Sequence, residues 1–93
     1  MQNPRIVPTI LSKPYAVDLI LFLDREGKIM ATQLKAIHSN YMKLLILART
    51  LDERGILHIE EKRGPRLTYY ISLTQKGKKV AEKLKAAREI IED

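Results

Sequence analysis

Cysteine is absent from this 93-residue chain. That excludes a disulfide framework and any thiolate metal site. Histidine is scarce: His38 and His58 are the only two, and no Asp or Glu spacing around them makes a known ligand pattern. One is expected in a turn and the other facing outward from a strand. The four glycines are scattered, so no phosphate-cradling loop is present. Aromatic residues make up 5% of the chain, too few to interleave a single-strand-binding surface. No apolar run approaches the ~20 residues of a membrane span. Pro4, Arg5 and Pro8 interrupt the start, where a signal peptide would need an unbroken apolar stretch. No nucleophile stands beside a base as in a hydrolase. Asp18 and Asp24 diverge by roughly 120° on a helix and do not converge. The expectation is a single cytoplasmic domain with no enzymatic activity, no cofactor and no metal. Its core is modest, and dimer formation would help it.

What the chain does have is positive charge, unevenly placed. The net charge is +6 at pH 7. Residues 1–61 are nearly balanced at +1, residues 62–88 carry +8, and residues 89–93 carry −3. A basic block in one half of a small chain is the electrostatic footprint of a polyanion binder. It is equally what a solvated helix face and a charged loop would give, so charge alone moves the reading modestly.

The central stretch is Ser39 to Gly55. Leu44, Leu47, Ala48 and Leu51 recur at i, i+3, i+4, i+7, one face of a helix. Ser39 is expected to cap its start and Gly55 to end it in a left-handed conformation. Before it, residues 1–13 read as an extended arm, with Ile6, Val7, Ile10 and Leu11 laid against the body or a partner. A first helix is expected from Pro14 to about Arg25, capped by Ser12 and stopped by Gly27. Its face of Ala16, Leu19, Ile20 and Leu23 is extended by Val17, Leu21 and Phe22 most of the way round. A helix so apolar is covered on two sides. Lys28 to Met30 is a short extended stretch, and Ala31 to Ile37 a short second helix. The turn His38-Ser39-Asn40 then leads into the longer central helix, which is helix-turn-helix syntax.

Beyond Gly55 the period shifts from 3.6 to 2. Residues 56–61 form a strand with Leu57 and Ile59 inward. Lys62 to Arg66 is a cationic, breaker-rich turn. Leu67, Tyr69, Ile71 and Leu73 then alternate with polar neighbours as a half-buried return strand. Thr74 caps a last helix running to about Glu92. Along it Gly77, Val80, Leu84, Ala87 and Ile91 follow 3-4-3-4 spacing, the spacing of a coiled-coil seam. The same stripe would also serve to pack on its own domain. A helix ~27 Å long at 1.5 Å per residue favours use of the seam by a second copy.

Helix, short strand, helix, turn, longer helix, basic-tipped hairpin and helix together resemble the winged helix-turn-helix domain. The most specific pieces are L-D-E-R-G-I-L at Leu51 to Leu57 and R-G-P-R-L-T-Y-Y-I-S-L-T-Q-K-G at Arg63 to Gly77. The first is similar to the recognition-helix exit of MarR, ArsR and PadR-like regulators, the second to their wing, return strand and last helix. The resemblance implies an α+β, mainly α fold: a three-helix core, a two-stranded wing hairpin and a C-terminal helix. Residues 14–74 would be the winged domain and 75–93 a dimerisation helix. It further implies a homodimeric, sequence-specific transcriptional regulator of double-stranded DNA. Helix 40–54 would enter the major groove and the wing at 62–66 would follow the backbone or minor groove. The DNA-contacting candidates are Ser39, Asn40, Tyr41, Lys43, Arg49, Lys62, Arg63 and Arg66. The dimer candidates are Leu21, Phe22, Val80, Leu84, Ala87 and Ile91. No residue pattern specifies a small-molecule effector.

Two departures stand out. Met42, Leu45 and Ile46 are apolar on the face where a DNA-reading helix usually shows polar groups. They fit thymine methyls, or a protein partner. Winged-helix protein docking is thus one alternative function, and non-specific chromatin-type DNA coating another. Met30 stands where this family often has a Ser or Thr cap, which bears on the start of the second helix.

Overall fold

A computed structural model of the chain describes residues 9–93. Ile6 and Val7 of the expected arm therefore lie outside the described residues. The described part of the arm, residues 9–13, is not a continuous extended stretch. Ile10–Ser12 forms a single 3₁₀ turn in which Thr9 Oγ1 accepts the Leu11 N–H at 3.0 Å. Ile10 and Leu11 pack against the core.

The first helix, α1, spans Ala16–Glu26, two residues later than the sequence pattern indicates. Ser12 does not cap it. Its hydroxyl donates instead to the Thr9 carbonyl at 2.7 Å. The helix is launched from Tyr15, a non-glycine residue at φ 68°. That left-handed conformation costs on the order of 1 kcal/mol. The Tyr15 ring meets His38 edge-on, centroids 5.0 Å apart, across the start of α2. Gly27, at φ 79°, ends α1 as expected.

Ile29–Met30 forms strand β1. It is only two residues long and gains its place by pairing with a distant strand. The segment Ala31–Ala36 follows, and it is a 3₁₀ helix rather than an α-helix. Gln33 Oε1 accepts the Met30 N–H at 2.9 Å, so a side chain three residues on satisfies the start although Met30 is no conventional cap. Leu34 is fully buried there.

Helix α2 spans Tyr41–Glu53. Its N-cap position is Asn40, not Ser39, and no side chain caps it. Instead the Asn40 N–H donates to His38 Nδ1 at 3.0 Å. The C-terminus is closed by a Schellman turn. Gly55 adopts φ 76°, its N–H reaches the Asp52 carbonyl and the Ile56 N–H reaches the Leu51 carbonyl, both at 2.9 Å. Glycine is the residue that takes this conformation without a Cβ penalty.

Strands β2, Leu57–Lys62, and β3, Thr68–Leu73, make the hairpin. The sheet is three-stranded, in the order β1-β3-β2 and antiparallel throughout. The hairpin is therefore not the whole sheet: Ile29 pairs with Ile71 on β3's other edge. The Lys28 ammonium bonds Glu60 at 2.9 Å and holds that carboxyl below its usual pKa.

Helix α3 spans Gln75–Glu92. Thr74 caps it as the sequence indicates, its Oγ1 accepting the Gly77 N–H at 3.0 Å. The same hydroxyl donates to the Gly55 carbonyl at 2.5 Å, and Lys76 Nζ reaches the Arg54 carbonyl at 2.9 Å. The end of α2 and the start of α3 are thus joined by polar bonds that satisfy orphan helix carbonyls. Gly77 lies so close to this joint that a Cβ would sit 1.8 Å from the Ile56 carbonyl oxygen.

The core is apolar throughout: Leu19, Ile20 and Leu23 of α1, Leu34, Leu44 and Leu51, and Ile29, Leu57 and Ile71 of the sheet are its largest fully buried side chains. Among the described residues no polar side chain is buried. Each such burial stabilises by about 1.5–3 kcal/mol relative to exposure. The Lys85–Asp24 ion pair, 2.8 Å, links α3 to α1 at the rim of this core.

Candidate nucleic-acid interface

The exposed side of α2 is built by helical arithmetic. With Leu44, Leu47, Ala48 and Leu51 turned to the core, Met42, Ile46 and Arg49 point away. Met42 is 52% exposed and Ile46 64%. Leu45 is different. It is only 6% exposed, which removes it from the apolar surface patch the sequence indicates. It lies at the floor of a groove that it shares with Ala31 and Thr32 on one side and Leu67, Thr68 and Tyr69 on the other.

That groove, about 390 Å³ in volume, runs between α2 and the hairpin. Arg49 and Arg66 both line it, together with Met30, Tyr41 and Met42. The Arg49 guanidinium lies over the Tyr69 ring, 5.4 Å from its centroid. A cation so placed is attracted by the ring face and is oriented by it. Tyr69 is thus both packed on the core and a support for an arginine. Tyr70, on the opposite face of β3, has Lys28 over its ring at 5.8 Å.

On the other side of α2 a second trough is lined by Lys13, Pro14, Tyr15, Lys43, Ile46 and Thr50. Sequence reasoning missed Lys13, because it falls in a stretch without helical period. It lines the same trough as Lys43, beside Tyr15, where the chain turns into α1.

The other site residues separate into groups. Asn40 and Ser39 are exposed at the N-terminal end of α2. Tyr41 is half-buried against the core, with the Lys35 ammonium 5.4 Å above its ring. Lys62, Arg63 and Arg66 are exposed at the hairpin tip. Arg63 pairs with Glu61 at 2.9 Å, an exposed pair of the kind worth under about 1 kcal/mol. Lys62 and Arg66 have no ion partner among the described residues. Thr50 spends its hydroxyl on the Ile46 carbonyl, 3.2 Å away.

The dimer candidates are likewise divided. Phe22, Val80 and Leu84 pack against the chain's own core. Leu21 and Phe22 also line a hollow of about 640 Å³ shared with Asp18, Asp24, Lys85 and Arg88. Residues 86–93 are all exposed. Ile91 is 81% exposed, and Ile90, which the sequence pattern overlooked, is 78% exposed.

His38 is the turn residue and His58 the outward strand residue. Among the described residues no cluster of three or more His, Asp or Glu is placed to hold a metal ion. No described helix is long and apolar enough to cross a membrane.

No protein-family model matches the chain. The curated proteins give no match either. Solved structures do. A transcriptional regulator homologue from Pyrococcus horikoshii OT3 superposes with a TM-score of 0.75, at 18% identity, over 88% of this chain and 83% of that one. The ytfH protein of Salmonella typhimurium gives a TM-score of 0.75 at 21% identity, covering 89% of this chain and 75% of the other. The fold is a winged helix-turn-helix. Diamide-treated YodB from Bacillus subtilis has it too, at TM-score 0.70 and 16% identity, over 86% of this chain and 80% of its own. In winged-helix terms α2 is the second helix of the helix-turn-helix, the β2–β3 tip is the wing, and β1 completes the wing sheet.

Proposed function

We propose that this chain is a homodimeric regulator of transcription that binds double-stranded DNA, with α2 in the major groove and the wing on the phosphate backbone or in the minor groove. The observation that carries this reading is the placement of Lys43 and Arg49 on the two flanks of α2, with Arg66 of the wing lining the same groove as Arg49. A helix flanked by cations on both sides matches a groove walled by phosphates on both sides. The fold shared with the Pyrococcus horikoshii regulator homologue supports the same reading.

The dimer contact in this proposal is the free end of α3. Ala87, Ile90 and Ile91 extend past the body, and a second copy would cover them, with Leu21 and Phe22 bordering the contact. Two recognition helices would then meet major grooves about 34 Å apart on a roughly palindromic site. The chemistry of this reading is non-catalytic.

The test is duplex binding by fluorescence anisotropy, with random-sequence and upstream genomic fragments at two salt concentrations. Steep salt dependence with one fragment well ahead of random sequence is the expected result. Arg63→Ala with Arg66→Ala should weaken binding to every sequence and lower the salt slope by about 2, since each phosphate contact contributes about 0.9. Arg49→Ala or Asn40→Ala should cost about 1–3 kcal/mol at particular bases. Binding without preference would indicate a DNA-coating role. No binding at low salt would turn attention to protein docking.

A further inference from the structure

The crest of α2 carries a chemical message of its own. Its two most prominent side chains, Met42 and Ile46, are one helical turn apart and both more than half exposed. Met42 borders one trough and Ile46 the other, so together they form the ridge between the two. One trough carries Arg49 and Arg66, the other Lys13 and Lys43, and neither is lined by an acidic side chain. An apolar ridge between cationic flanks is poorly suited to a protein partner. Such a partner would have to supply anions on both sides of an apolar cleft. It is well suited to the major groove, about 12 Å wide, whose walls are phosphates and whose floor is apolar only where thymine places its C5-methyl group. The polar alternative on this face is depleted. Thr50 has its hydroxyl turned back to the Ile46 carbonyl, and Glu53 lies ~10 Å further along the helix from Ile46 at 1.5 Å per residue.

We propose that Met42 and Ile46 read thymine methyl groups, so that the preferred site carries thymines beneath the crest of α2. This rests on the DNA-binding reading above and adds the base class it selects. Side chains at i and i+4 have Cβ atoms about 5–6 Å apart. That is close to two base steps of about 3.4 Å, so the paired thymines fall within about two base pairs of each other.

The experiment starts by selecting the tightest 30-base-pair duplex (~30, one length spanning both half-sites) from a random library with the wild-type protein. That duplex is resynthesised with deoxyuridine in place of every thymidine, which deletes the C5-methyl and leaves the pairing edge unchanged. Wild-type protein is expected to bind the uracil duplex roughly 4-fold or more weakly, the loss that removing one buried methyl group gives. The variant carrying Met42→Ala and Ile46→Ala is expected to bind both duplexes alike. Lys43→Ala, the control, should weaken both equally and keep the difference. Both crest positions are exposed, and circular dichroism checks that the variant folds. Equal wild-type affinity for the two duplexes overturns the proposal while leaving DNA binding in place. A uracil penalty that persists in full in the double variant also overturns it, since the penalty then does not come from Met42 and Ile46. Failure to bind any duplex removes this proposal together with the DNA reading beneath it.

Discussion

The two halves of α3 are one continuous helix with opposite surroundings. From Gln75 to Lys85 it is fastened: Thr74 caps it, Lys76 bonds Arg54, Gly77 and Ala81 are buried, and Lys85 pairs with Asp24. From Ala86 onward every residue is exposed, Ile90 and Ile91 included. The helical propensity of the second half is good, with Ala, Lys, Arg and Glu prominent, so its extension past the body needs no tertiary support. The difference teaches that the apolar stripe has two owners. Gly77, Val80, Ala81 and Leu84 belong to the domain. Ala87, Ile90 and Ile91 are exposed and are not among the residues packed against the described core.

The sharpest way to break the fastened half is Gly77→Ala. The new Cβ meets a backbone oxygen at 1.8 Å, and backbone cannot swing aside as a side chain does. A loss of about 3 kcal/mol is expected from overpacking of this kind. In thermal denaturation that corresponds to a Tm lowered by roughly 12–24 °C for a domain of this size. An unchanged Tm would mean that α3 does not approach Ile56 so closely. Thr74→Ala removes the cap and should cost about 1 kcal/mol, read by urea titration. Lys85→Ala removes a half-exposed ion pair, and a loss below about 1 kcal/mol is expected. Against these, Ile90→Asp with Ile91→Asp should leave the stability of the isolated domain within ~0.5 kcal/mol. Its effect should appear in assembly. Wild-type Tm is expected to rise with protein concentration, and the variant's is not. If the free-end variant and the wild type show the same flat concentration dependence, the second owner is not another copy of this chain.

A smaller effect concerns pH. Glu60 has its folded-state pKa lowered, chiefly by the bond from Lys28 and its charge. Its contribution is therefore present above the unfolded glutamate value, about 4.3, and lost as pH falls through the folded value. Lys28→Ala should flatten that acid limb of the stability profile slightly, since both groups are solvent-exposed.

Much of this molecule is legible in its sequence, for reasons specific to each element. The inward face of α2 follows from the spacing of Leu44, Leu47, Ala48 and Leu51. Gly27 and Gly55 mark helix ends because only a left-handed residue continues the chain there. Thr74 is legible as a cap because a hydroxyl three residues before a free N–H has one obvious use. What escapes is whatever depends on partners far away in the chain. Strand β1 is two residues long and exists through pairing with β3. Leu45 lies on the flank of α2, and its burial depends on residues distant in the chain that border the same groove. Tyr15 in a left-handed conformation is invisible to a residue-type argument, since tyrosine gives no hint of positive φ. It shifts the start of α1 from Pro14 to Ala16 and brings Lys13 beside Lys43. At the candidate interface, the residue types were readable, but the sorting of cations onto two sides of an apolar crest required the wing and the Tyr15 turn together.

The strand order β1-β3-β2 also bears on how the chain comes into being. The middle strand is the last of the three to be synthesised. Ile29 waits for Ile71, and Leu57 waits for Leu73. A nascent chain that has emerged only as far as the wing tip has two strands and no pairing between them. Closure of the sheet, and with it the pairing of Ile29 with Ile71 and of Leu57 with Leu73, therefore waits on β3. Helix α2 is made before β3, and the surface that frames it is finished only when residues 68–73 arrive.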